Sequence, residues 1–341
     1  MKKDHGLHWG LVSTYRQEIM GIACLWVILH HNFCKWPNAL ELVRELGICG
    51  NAGVDVFLFL SGISLYFAYI RKPKLSRFYA RRIFRLLVPF ALLAAPYWIW
   101  RDCLLQKGNF WQDFSMLSFP MKGTITTWYV GAIFVFYLVY PLAYRLIFKV
   151  KQLGSIKFRR NTLAILLPAA VAFGCLVLRK ICPGLYDNIE IGLTRTVIFL
   201  IGCRVGEWVY RKKQMPSEWL WLSGIYLAFM LVLRETVDLP AYWIRMSYAP
   251  LAVSVTVLLT GFFHQFSWKP LQRVLLFFGD RSLEIYLSHV MLKNVYLYYF
   301  PVTQWDRWGF LSYGLVVAIA LIISTIVHPI GKWICNCLQK S

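Results

Sequence analysis

Ten apolar runs, beginning near Glu18, Ala52, Ile83, Thr127, Leu163, Thr194, Trp219, Tyr248, Ser282 and Gly309, divide the chain almost end to end. The hydrocarbon core of a bilayer is about 30 Å thick, and a helix rising 1.5 Å per residue crosses it in about 20 apolar residues. Backbone amides in that layer have no water to bond, so a segment inserted there must be helical or part of a closed barrel. Continuous apolar runs, rather than alternating ones, select the helix. The spacing predicts an all-α, polytopic membrane helical bundle of about ten transmembrane helices. Composition agrees: of 341 residues 58% are hydrophobic and 17% aromatic, and the mean hydropathy is +0.53. Pro89, Pro96 and Pro168 fall inside candidate spans, where they predict kinks.

The net charge of +21 invites comparison with nucleic-acid binders, but the basic residues lie in short runs between apolar spans. Cytoplasmic connections carry the excess of Lys and Arg, so ten spans with an internal N-terminus should alternate basic and less basic connections. They do. The N-terminal tail, Arg71 to Arg85, Arg145 to Arg160, Arg204 to Lys213, Lys269 to Arg281 and the C-terminus hold 25 of the 37 basic residues. The remaining connections carry nine of the sixteen acids. The expectation is that both termini are cytoplasmic, with residues 1–341 forming a single membrane domain and no nucleic-acid partner. Lys2 and Lys3 precede an apolar run in the manner of a signal peptide, but no small-residue cleavage site follows, so an uncleaved first span is expected.

Nine cysteines show neither paired CxxC motifs nor a Cys/His spacing suited to zinc, and no metal is expected. Cys34, Cys49, Cys103 and Cys182 fall near the expected outer face, where pairing is an alternative to the default of free apolar thiols.

Polar residues within the apolar runs are the candidates for function, because an ionisable side chain at the bilayer centre costs about 2.5–3.5 kcal/mol and faces a bundle interior or cavity. His30 and His31 close the first run, EIMGIACLWVILHHN. Adjacent helical residues point about 100° apart, so the two cannot serve one partner. They read either as an interfacial polar pair or as the source of a general base titrating near neutrality. Asp55 stands in the second span, where it needs a partner or a proton; the alternative is a helix-terminal aspartate at the interface. Ser61 and Gly62 read as small residues that let helices approach closely.

At the inner end of the third span, Arg82 and Arg85 are three apart and share a helical face that could grip a phosphate, beyond what topology alone requires. Trp128, Tyr129, Phe136, Tyr137 and Tyr140 in span four read as an aromatic belt. In span nine, Tyr286 and His289 share a face, and Glu284 reads as interfacial.

Together these segments resemble the acyltransferase-3 family of integral membrane acyltransferases, which includes bacterial O-acetyltransferases of surface polysaccharides. MGIACLWVILHH is similar to the family's first span, with His31 at its characteristic histidine. NAGVDVFLFLSGISL is similar to its GVDxFFxxSGF segment, and FYARRIFRLLVPF to its third-span RxxR motif, here Arg82 and Arg85. TWYVGAIFVFYLVYPL, FLIGCRVGEW and SLEIYLSHVML resemble its fourth-span, sixth-span and late IYLxH segments. Six motifs in order cover most of the chain. One position departs: the family has Arg ahead of the first-span histidine as R-x10-H, and here Met20 occupies it, with Arg16 one turn earlier on the same face.

The resemblance implies a membrane acyltransferase of the bacterial cytoplasmic membrane. It would move an acyl group, most often acetyl, from cytoplasmic acyl-CoA to a hydroxyl of a glycan or glycolipid at the outer side. It implies that His31 is the base or a transiently acylated nucleophile, that Asp55 or His289 orients it or relays its proton, and that Arg82 and Arg85 bind the phosphates of CoA. The bilayer is the expected environment, and self-association is left open. Two rivals stand beside it: a transporter or flippase of a lipid-linked glycan, using the same polar residues as a path, and a non-catalytic membrane subunit, which Met20 favours.

Overall fold

The structure, a computed structural model, describes residues 6–31, 41–71, 74–149, 156–301 and 307–340. Lys2, Lys3, Asn32, Cys34 and the middle of the Arg145 to Arg160 connection lie outside the described residues.

The chain is helical throughout what is described. A short α1 (Gly10–Thr14) leads into α2 (Arg16–His31), α3 (Glu41–Cys49), α4 (Ala52–Ile70) and α5 (Leu75–Trp98), the last continuing as a π-helical turn, Ile99–Leu104. Two short helices, α6 (Phe110–Phe114) and α7 (Ser118–Lys122), precede α8 (Trp128–Phe148), α9 (Ile156–Ile181), α10 (Pro183–Leu193) and α11 (Thr196–Tyr210). The rest comprises α12 (Glu218–Thr236), α13 (Ala241–Gln265), α14 (Lys269–Asp280), α15 (Ser282–Tyr299) and α16 (Arg307–Lys340). Pro89 and Pro96 lie within α5 and Pro168 within α9.

Among the described residues, six helices are long and apolar enough to cross a membrane: Ala52–Ile70, Leu75–Leu104, Trp128–Phe148, Thr162–Ile181, Ala241–Gln265 and Leu311–Gln339. α2 and α11 have only 16 and 15 residues. Both are lined with buried side chains, and α11 packs along α4 in the most extensive helix pairing of the fold. The two meet backbone to backbone. A Cβ on Gly62 would stand 2.6 Å from Phe199 O, and one on Gly202 would meet Phe59 O. Gly62 therefore does what small residues in a membrane interface do, letting two helices close until their backbones touch.

Two expectations change here. The aromatic residues of α8 are not a lipid-facing belt: Trp128, Tyr129, Phe136 and Tyr140 are buried in the bundle. Phe136 stacks on Phe199 at 4.6 Å between ring centroids, and Tyr129 lies against Tyr286 at 5.0 Å. The outward positions of that helix are held instead by aliphatic residues such as Val135, Val139 and Leu142. The Lys269 to Arg281 connection is also more than a linker. It contains the amphipathic α14, which packs along α2 with the Leu275 carbonyl directly against Gly21. Cys49, Cys103 and Cys182 are free thiols.

Candidate active site

The C-terminal end of α2 meets the middle of α15, and this meeting joins two residues 258 positions apart. His289 is 1% exposed and lies deep in α15; its Nδ1 is 2.8 Å from the carbonyl of Ile285, one helical turn back. Its Nε2 is 2.8 Å from Nδ1 of His31. A carbonyl can only accept, so His289 Nδ1 carries the proton and, in a neutral ring, Nε2 is the acceptor. His31 must then donate from Nδ1, which makes its own Nε2 the basic nitrogen. The network thus selects one tautomer of His31, as an orienting group does for the base of an acyl-transfer site. His30 points elsewhere, with Nδ1 2.9 Å from the Gly47 carbonyl at the end of α3.

His31 lines a cavity, the outer one on the topology expected from the basic connections, together with Asn51, Thr126, Trp128, Lys293 and Asn294. Val27, Val54, Ile125, Ile191 and Val290 complete a mixed wall, on which the amides, hydroxyl and ammonium offer hydrogen bonds.

Asp55 does not touch His31. Its Oδ2 lies 3.3 Å from Nε of Arg195, and both side chains are sealed from solvent. Arg195 also donates to Asn51 Oδ1 at 2.9 Å and to the Ile191 carbonyl at 2.8 Å, and its guanidinium stands 4.9 Å from the Trp128 ring centroid. A buried carboxylate without a partner is costly, and Arg195 supplies that partner. The pair therefore braces two walls of the outer cavity, Asn51 and Trp128.

In the N-terminal half of α5, Arg82 and Arg85 line a second cavity, joined by Arg71, Arg77 and Arg81. Five guanidinium groups around one opening form an anion-binding mouth, with donors in the fork geometry that phosphates accept.

Between mouth and histidines lies a third cavity, lined by Arg16, Met20, Ser61, Arg85, Tyr137 and Tyr286 among others. It shares Arg85 with the mouth and Tyr286 with the outer cavity, so the three cavities are neighbours in a row from the arginines to His31. Arg16 and Met20 line this middle chamber together; the guanidinium missing at position 20 is present one turn earlier in the same space.

Glu284 is buried rather than interfacial. Its Oε1 is 2.8 Å from His328 Nδ1, and Asp280 Oδ2 is 2.9 Å from His328 Nε2 and 3.1 Å from Lys332 Nζ. This cluster ties α14, α15 and α16 together. Among the described residues no group of His, Cys, Asp and Glu has the arrangement of a metal site.

Sequence reasoning names His31, Asp55, His289, Arg82 and Arg85 and notes Arg16, but it misses Arg195. The signal is present: an arginine stands just before the apolar run TVIFLIG. In the sequence it reads as one more charge of an outer connection.

A bundle of apolar helices with a histidine pair at one end of a row of cavities and clustered arginines at the other defines an integral membrane protein with a polar interior. A family model described as an acyltransferase domain, that of acyltransferase-3, matches residues 20–328, and the chain belongs to this family of membrane acyltransferases. No curated protein and no solved structure matches the chain.

Proposed function

We propose that the protein transfers an acyl group, acetyl in the first instance, from cytoplasmic acyl-CoA to a hydroxyl of a glycan or glycolipid at the outer side of the bacterial cytoplasmic membrane. The observation that carries this reading is the hydrogen-bond chain from the Ile285 carbonyl through His289 to His31, which makes Nε2 the basic nitrogen of a histidine that lines a cavity.

In this reading residues 1–341 form one domain of ten spans, with both termini in the cytoplasm. The alternation of basic connections supports it, as do the helices that start at or near each apolar run. The four further spans are α2, α11, α12 and α15; α2 and α11 are short, with 16 and 15 residues, and α2 and α15 carry His31 and His289. Arg82 and Arg85, with Arg71, Arg77 and Arg81, hold the phosphates of CoA. The pantetheine arm lies in the middle chamber beside Arg16, bringing the thioester to His31. His31 takes the proton of the acceptor hydroxyl as its oxygen attacks the thioester carbon; His289 fixes the tautomer and shares the developing charge. Asp55 serves indirectly, through Arg195, by holding Asn51 and Trp128 against the acceptor. No metal has a role in this scheme, and copies of the chain need not associate for it.

The test uses purified protein in proteoliposomes, supplied with labelled acetyl-CoA with and without a glycan acceptor. Release of CoA together with label on the glycan is expected, and His31→Ala should abolish both while leaving the protein abundant. Undiminished transfer by His31→Ala would remove the base from the mechanism; movement of intact glycan without acyl turnover would identify a transporter instead.

A further inference from the structure

Resting on that reading of the donor route, we infer that Tyr286 is a further catalytic residue, whose phenol hydroxyl donates a hydrogen bond to the thioester oxygen as it becomes an oxyanion.

The order of the chambers sets where the reactants come together. A donor coming from the arginine mouth occupies the middle chamber, and an acceptor occupies the outer one. Their reacting atoms must meet where the two chambers meet. Among the described residues, one side chain lines both, and it is Tyr286. The rest of the middle wall mixes apolar residues such as Phe57 and Ile133 with the hydroxyls of Ser61, Tyr129, Tyr137 and Ser282, none of which reaches the outer cavity. A tyrosine shared by both walls can offer its hydroxyl as a donor where the two meet.

Its setting suits the role. Tyr286 is buried on α15 one turn before His289, so the two side chains share a helical face, with ring centroids 5.9 Å apart. The ring is held by Tyr129 at 5.0 Å, which is itself packed on Phe57. A donor fixed by packing in a water-poor site acts on charge that develops in the transition state without having to reorganise.

The step balances. The acceptor oxygen bonds to the thioester carbon as His31 Nε2 takes the hydroxyl proton, and the carbonyl π pair moves onto oxygen, where Tyr286 Oη–H bonds to it without giving up its proton. The pair then returns, the carbon–sulfur bond breaks, and the departing thiolate takes the proton from His31. The products are the acyl ester and CoA–SH, and the tyrosine ends as it began.

Tyr286→Phe keeps the ring, its packing on Tyr129 and the wall between chambers, and removes only the hydroxyl. In proteoliposomes, release of CoA from acetyl-CoA would be followed both to water and to octyl β-D-glucopyranoside as a probe acceptor, alongside binding of CoA itself. The expected result is a kcat lower by roughly 10²- to 10³-fold, the range for loss of one oxyanion donor, with KM for acetyl-CoA, affinity for CoA and melting temperature unchanged. A Tyr286→Phe protein with wild-type kcat would overturn the role of the tyrosine alone. Wild-type protein that turns over no acetyl-CoA at all would remove the donor reading, and this inference with it.

Discussion

Nε2 of His289 accepts a hydrogen bond from Nδ1 of His31 across 2.8 Å, and this single bond between α15 and α2 decides which nitrogen of His31 is basic. Because His289 is in turn held by the Ile285 carbonyl, the orientation is set by backbone rather than by a carboxylate.

His289 therefore acts through His31, and what it must supply is an acceptor. A hydrogen bond to a group that becomes charged is worth about 1.5–3 kcal/mol, so His289→Ala is expected to lower kcat roughly 10- to 100-fold. His289→Gln offers a carbonyl oxygen in place of Nε2 and should recover part of that loss. Comparing kcat for the two variants at saturating acetyl-CoA checks it; equal losses would mean that His289 contributes bulk rather than orientation.

The arginine mouth should behave as a phosphate site. Arg85 borders both the mouth and the middle chamber. Removing both guanidinium groups, Arg82→Ala with Arg85→Ala, is expected to weaken CoA binding on the order of tenfold or more for each charge-assisted hydrogen bond removed. Titrations at rising salt should show a flatter dependence in the double variant, because fewer charges are left to screen. Wild-type affinity in that variant would return the segment to a purely topological role.

Arg16 carries a prediction about Met20. Since both line the middle chamber, Arg16→Ala should raise KM for acetyl-CoA, and adding Met20→Arg should restore much of it by returning a guanidinium to the same space. Arg16→Ala with an unchanged KM would show that the donor passes this chamber without using a cation there.

The α14–α16 tie should respond to acid. Burial pushes the Asp280 carboxyl up, but the hydrogen bond from Lys332 and the neighbouring His328 outweigh it and hold the group below the ordinary aspartate range. A depressed folded value means that its contribution is present above the unfolded value, about 3.9, and is lost as pH falls through the folded one. Melting temperature should therefore decline on acidification below about pH 4, and Asp280→Asn should flatten that decline while lowering the melting temperature at neutral pH.

Much of the helical layout is legible in the apolar runs, because lipid demands length and continuity and leaves little else to read. The facing pair Arg82 and Arg85 is legible for a related reason, since a spacing of three is a local property of a helix. What cannot be read is which interior groups meet. His31 and His289 are joined only by the packing of α2 on α15, and Asp55 and Arg195 only by the close approach of α4 to α11 at Gly62 and Gly202. The aromatics of α8 mislead because hydropathy does not separate a ring facing lipid from one facing another helix. α14 is hidden because its basic residues, Lys269 and Arg273, read as topology signals while its apolar face lies on α2.

α2 carries Arg16 at its first residue and His31 at its last, in one unbroken helix of 16 residues. Fifteen steps of 1.5 Å put their backbones about 22 Å apart, and α14 clamped along the inner half keeps the helix from sliding. The helix is thus a measuring rod. In the proposed scheme the arm passes Arg16 on its way from the arginine mouth, so it must reach at least that far, and a short acyl thiol held by its anionic head at Arg82 and Arg85 should be a poor donor.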